Sequence, residues 1–158
     1  MKLSLLSICG LSLLLFSGCH KECMRFSNPD TLVFGQFYGE CIGERCVEIY
    51  KLQNNLLLED TTDQYPAADA FYSGSYVQLS AQQYQSVQNL LNSFPAALLN
   101  EPGTVIGQPD GGDWGGFYIE YQRGNVRKFW LLDKMKTNVP AQYHSFIDQL
   151  NQNIALLP

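Results

Sequence analysis

The sequence predicts an α+β domain, an antiparallel sheet with two helices packed on one of its faces. Three observations lead there. Two segments carry apolar residues at helical spacing: Tyr84, Val87, Leu90, Leu91 and Phe94 in the first, Tyr143, Phe146, Ile147, Leu150 and Ile154 in the second. Runs rich in β-formers, 31–38 with 47–52 and 117–121 with 126–132, are joined in pairs through glycine-containing stretches, the mark of hairpins. The composition, 46% hydrophobic with only 16% charged residues and a Tyr-rich aromatic share, is that of a folded chain with half-exposed strands rather than a disordered one.

The elements follow in order. Lys2 is a short basic start, and 3–16 is almost wholly apolar before Phe16-Ser17-Gly18-Cys19. An apolar run this short, closed by small residues, reads as a secretory signal and not as a membrane span. Small residues immediately before a cysteine are what a lipoprotein signal peptidase accepts. Residues 1–18 are therefore expected to be removed and Cys19 acylated. Cys9 is a poorer candidate, because Ile8 is not small and cleavage there leaves almost no apolar run. Residues 19–30 are a tether with no period, ending in the turn signal Asn28-Pro29-Asp30. A single α+β domain then occupies 31–158, large enough to bury one core.

Within it, 31–38 and 47–52 are hairpin partners, and 56–58 is a third short strand. Residues 60–70 are polar and contain proline, hence a loop; 76–79 is a short strand or a helix lead-in. Ser80 with Gln83 makes a capping box, Leu79 with Tyr84 the hydrophobic staple, and Pro95 ends the first helix. Residues 107–116 form a glycine-rich loop. The second hairpin turns through Gln122-Arg123-Gly124-Asn125, and the second helix opens near Pro140.

The halves share a pattern. Gln83-Tyr84-Gln85-Ser86-Val87 matches Gln142-Tyr143-His144-Ser145-Phe146 in residue type, and Phe37-Tyr38-Gly39-Glu40 matches Phe117-Tyr118-Ile119-Glu120. Two ordinary amphipathic helices account for this as well as a ββα duplication with an insertion in the first half. Either gives the same layers.

Residues 39–46 (Gly-Glu-Cys-Ile-Gly-Glu-Arg-Cys) followed by Tyr50 resemble the cysteine hairpin of uncharacterised Bacteroidetes-type lipoproteins. Those carry C-x-G-x-C-P-x-Y near the mature N-terminus and then a ββα-like arrangement. Here one extra residue stands between Gly43 and Cys46, Val47 replaces the proline, and Tyr50 comes one place late. The resemblance implies the fold and no particular activity.

Without Lys2 the chain keeps nine of its ten basic residues against fifteen acidic ones, a net charge of −6. With no basic cluster, nucleic acid is a poor partner, and so is an anionic lipid surface for the folded domain. Membrane attachment falls to the acyl chains, each buried methylene contributing ~0.8 kcal/mol. Cys41 and Cys46 flank Ile42-Gly43-Glu44-Arg45, so a disulfide across the hairpin is the reading that their spacing and an oxidising compartment support. Cys23 is then left over.

Other chemistry finds little footing. A zinc site drawing on Cys23, Cys41, Cys46 and His20 or His144 lacks two close ligand pairs, and a dithiol redox site lacks the C-x-x-C spacing. His144 has no nucleophile at a usable spacing, and G-x-S-x-G does not occur. Asp110 and Asp113 flank Gly111-Gly112 without the EF-hand pattern for calcium. No cofactor is expected. Strand alternation places Phe117, Ile119 and Tyr121 under the helices and Tyr118 on the opposite face. Tyr118 and Trp114 are thus expected to be exposed, with Asp110 and Asp113, as a surface for protein or glycan contact. The expectation is a noncatalytic, lipid-anchored envelope module; the residue after the acylated cysteine is His20 and not aspartate, so release to the outer membrane is expected, periplasmic or surface-facing. The rivals are a small periplasmic hydrolase or thiol-redox enzyme, and a purely structural envelope lipoprotein.

Overall fold

A computed structural model describes residues 29–158. The expected signal, Cys19, Cys23 and the tether as far as residue 28 lie outside the described residues.

The described residues form seven strands: β1 Thr31–Phe37, β2 Val47–Gln53, β3 Leu56–Asp60, β4 Tyr76–Gln78, β5 Val105–Ile106, β6 Gly116–Arg123 and β7 Val126–Asp133. They make one mixed sheet in the order β4-β3-β2-β1-β6-β7-β5, antiparallel throughout except that β5 runs parallel to β7. α+β describes the fold, with a sheet larger than two hairpins and a third strand. The two hairpins fuse side by side through β1 and β6, where Phe34 lies opposite Ile119 and Leu32 opposite Tyr121. β5 has two residues, too few to show any period. The halves also differ in content: β3, the connection 61–75 and β4 stand between β2 and the first helix, whereas β7 leads to the last helix without a further strand.

The first helical segment divides into α1 Ala81–Val87 and α2 Leu90–Ser93. Ser80 caps α1 as its sequence requires: its Oγ accepts from Gln83 N–H, and Gln83 Oε1 accepts from Ser80 N–H. The break comes at Gln88-Asn89, where Leu91 and Asn92 donate to the carbonyls of Gln88 and Asn89, the tighter three-residue bonding of a helix turn. Past Pro140 the chain makes one 3-10 turn, Ala141–Tyr143, before α3 His144–Ile154.

Period-2 alternation sorts the strands into two buried faces. On one, Leu32, Phe34, Tyr50, Leu52, Ile119, Trp130 and Leu132 pack against Val87, Leu90, Phe146, Ile147 and Leu150 of the helices. Each fully buried large side chain there contributes roughly 1.5–3 kcal/mol. The other face gathers Val33, Phe37, Ile49, Tyr118, Phe129 and Leu131. It is not open. Residues 61–75 lie across it as a strap, with Tyr65 edge-on to Phe37, Phe71 edge-on to Phe129, and Tyr72 against Tyr118. Alternation identifies the face correctly, but three aromatic side chains in a polar connection close it.

Candidate functional site

The elements that end or begin at one edge of the sheet converge there. β1, β3 and β7 finish at this end, and β2, β4 and β6 start from it, so loops 38–46, 61–75, 107–115 and 134–138 all meet it. Thr31, the start of β1, lies at the opposite end, paired with Gln53 and Gln122. Three of the sequence-selected residues, Asp110, Asp113 and Trp114, belong to this loop end, together with Cys41 and Cys46.

The glycine-rich loop is pinned at both its root and its tip. At the root, buried Asp133 accepts from Gln108 N–H at 2.9 Å, Asn138 Nδ2 at 2.7 Å and Met135 N–H at 2.7 Å. At the tip, Asp110 adopts a left-handed backbone (φ 62°) and spends both carboxylate oxygens. Oδ2 accepts from Gly39 N–H at 2.8 Å and Tyr65 Oη at 2.9 Å, and Oδ1 from Gly115 N–H at 3.1 Å. Burial, with the bond to Asp110 behind it, pushes the Tyr65 phenol up to about 12. Asp110 therefore ties three loops together. Gly115 (φ 76°) lets the loop pass against β1, since a Cβ there meets the Tyr38 ring and sits 2.9 Å from the Phe37 carbonyl. Asp113 is exposed. Trp114, between these fixed points, is 63% exposed.

Beside it stands the cysteine loop. Cys41 and Cys46 are disulfide-bonded with Cα atoms 5.6 Å apart, and Tyr38 N–H donates to the Cys46 carbonyl at 2.8 Å, closing the hairpin. Ile42 projects fully into solvent from the loop. Glu40 and Glu44 are exposed on its flanks. Only five positions separate the cysteines, so reduction is expected to cost at most ~2 kcal/mol. Peptide mapping without reductant should recover residues 41 and 46 as one linked species. Two free thiols in freshly exported protein would contradict the pairing.

Tyr118 is elsewhere. It is 0% exposed, beneath the strap, with Oη donating to Glu120 Oε2 at 2.7 Å and accepting from Tyr72 N–H at 3.0 Å. The expectation that it presents a contact surface is overturned. Arg127 Nε pairs with the other Glu120 oxygen at 2.8 Å. That bond, ahead of the opposing effect of burial, holds the guanidinium above its ordinary value. The strap's own anchor is Asp60, which the sequence reading passed over. Its Oδ2 accepts from Tyr72 Oη, Thr62 Oγ1 and Asp63 N–H, and its Oδ1 from Ser75 N–H. An acid at the start of a long polar connection is the one trace of this in the sequence.

Burial alone raises the Asp60 carboxyl, but these four hydrogen bonds outweigh it and leave the group below its ordinary range. A depressed carboxylate contributes stability that is present above its unfolded value, about 3.9, and lost as pH falls through the folded one. Hydrogen exchange corrected for intrinsic rates should show Asp63 and Ser75 amides losing protection below about pH 4. In Asp60→Asn that acid dependence should disappear. Unchanged protection in the parent at low pH would refute the anchor.

His144 does not stand in a polar constellation; its Nε2 contacts the Val139 carbonyl at 2.8 Å. No helix among the described residues is long and apolar enough to cross a membrane. Comparison with known proteins returns nothing: no family model, no curated protein and no solved structure matches the chain.

Proposed function

We propose that this chain is a lipid-anchored envelope protein that works by contact, and that its contact surface is the loop end of the sheet. One observation carries the reading. Exposed Trp114 and Ile42 stand on loops locked by Asp110, Asp133 and a disulfide, at the end of the sheet away from Thr31. Large apolar groups on rigid, solvent-facing loops are what protein interfaces and glycan platforms use, because little conformational entropy remains to be lost on binding. The geometry suits the expected anchor. Acylation of Cys19 attaches the membrane on the Thr31 side, and a tether of this length reaches at most roughly 40 Å when extended. The loop end is then the side of the domain opposite the attachment point, open to an envelope protein or glycan. Because His20 and not aspartate follows Cys19, the reading places the anchor in the outer membrane, on its periplasmic or its outer side.

Two measurements test this. Mass spectrometry of the mature N-terminus should find diacylated or triacylated Cys19 as the first residue; an unmodified cysteine or another start sinks the anchor. Crosslinking in the cell envelope followed by recovery of the lipoprotein should give a partner that Trp114→Ala loses. Recovery unchanged by Trp114→Ala, alongside a turnover abolished by Asp113→Ala or His144→Ala, would replace contact with catalysis.

A further inference from the structure

We infer that the loop end carries a docking groove for a cationic segment of a partner protein, a basic side chain entering a cavity floored by Glu48 while its apolar neighbours lie along Ile42 and Tyr38. The inference deepens the contact reading above and rests on it.

Two cavities meet at this end and share Glu44 and Arg45 as their common wall. One, about 420 Å³, is lined by Glu48, Glu59, Asp60, Thr61 and Asp63 besides that wall. The other, about 410 Å³, is lined by Tyr38, Ile42 and the Cys41–Cys46 bridge. The first is acidic, with Arg45 the one cation lining it among the described residues, and that side chain is 61% exposed, so its compensation is screened.

Glu48 shows what is missing. Its side chain is only 7% exposed. Oε2 accepts from Tyr50 Oη at 2.9 Å, but that single phenolic proton also faces the Pro158 carbonyl at 2.8 Å. Among the described residues Oε1 meets only Arg45 Nε, at 3.8 Å, outside hydrogen-bond distance. One carboxylate oxygen of a side chain nine-tenths buried, open to the cavity and without a close donor among the described residues, is a ready acceptor for a cation. Burial foremost, with Glu59 and Asp63 adding repulsion, holds the Glu48 carboxyl above its ordinary value. Glu59 and Asp63 are raised the same way, each by burial and then by neighbouring acids. An ammonium or guanidinium group relieves all three at once. No three of the described acidic, histidine or cysteine side chains converge as ligands around one metal position, which favours an elongated organic cation over a metal ion. The adjoining apolar cavity makes the occupant a peptide segment, basic residue beside apolar ones, and the acidic chain attracts it from a distance.

The test uses the full chain in mild detergent, titrated by calorimetry at low salt with three end-blocked hexapeptides: alternating leucine and lysine, leucine and glutamate, serine and lysine. Only the first should bind with measurable affinity. Glu48→Gln with Glu59→Gln should weaken it about tenfold. Ile42→Ser, at a fully exposed position where the fold is indifferent, should weaken it as well, with thermal melts confirming that each variant folds. Binding of the glutamate peptide, equal binding of the serine peptide, or variants that bind as the parent does would overturn the groove. Calcium chloride alone saturating the site with the same Glu48 dependence would overturn it in favour of a metal. An envelope partner lost with Trp114→Ala, in a protein that ignores all three peptides, leaves the contact reading standing and removes this one.

Discussion

Gly35→Ala is expected to destabilise the domain by about 3 kcal/mol or more, a large share of the ~5–15 kcal/mol that holds a domain of this size. Gly35 sits mid-strand in β1, with β2 on one side and β6 on the other, opposite Ile49 and Tyr118. A Cβ there lies 2.8 Å from Ile49 Cα and closer still to the Glu48 carbonyl oxygen. Both are backbone atoms of a paired strand, so neither rotates away, and relief requires shifting β2 against β1. Gly103→Ala is the control, because nothing stands within 4 Å of a Cβ at that position. It should change stability by less than ~0.5 kcal/mol. Urea denaturation of the two variants decides the matter. If Gly35→Ala unfolds at the parent's midpoint, the β1–β2 register described above is wrong.

The second large effect separates two aromatic residues that look alike in sequence. Tyr118→Ala should cost roughly 3–5 kcal/mol, as for other buried aromatic truncations, and Tyr118→Phe about 1–3 kcal/mol. The phenylalanine variant keeps the ring against Tyr72 and Phe129 but takes the donor from buried Glu120 and the acceptor from Tyr72 N–H. Trp114→Ala should leave stability within ~0.5 kcal/mol of the parent, since the indole is mostly in solvent. Denaturant midpoints for the three variants test the assignment of Tyr118 to the core and Trp114 to the surface. Equal losses for Tyr118→Ala and Trp114→Ala would place both on the same footing and remove the distinction.

What the sequence by itself determined is local. Ser80 and Gln83 form the capping box their spacing implies, because both partners lie within one helical turn. Cys41 and Cys46 pair across the loop that separates them by five positions, and β1, β2, β6 and β7 form where β-formers run between turn residues. Strand alternation also told correctly which residues share a face: Phe117, Ile119 and Tyr121 lie under the helices, Tyr118 on the reverse. What covers each face is a question of long-range packing, and only the tertiary structure decided it. The union of the two hairpins through β1 and β6 brings together residues as distant in the chain as Thr31 and Gln122. The strap 61–75 reads as a polar loop, and its three aromatic residues declare their role only where Phe37, Tyr118 and Phe129 receive them. The paired cavities on either side of Glu44 and Arg45 arise in the same way, from the cysteine loop, the end of β3 and Pro158 meeting at one edge. Period and propensity are properties of neighbouring residues, whereas burial depends on which distant segment gains more by covering a surface than it loses in entropy by being ordered there.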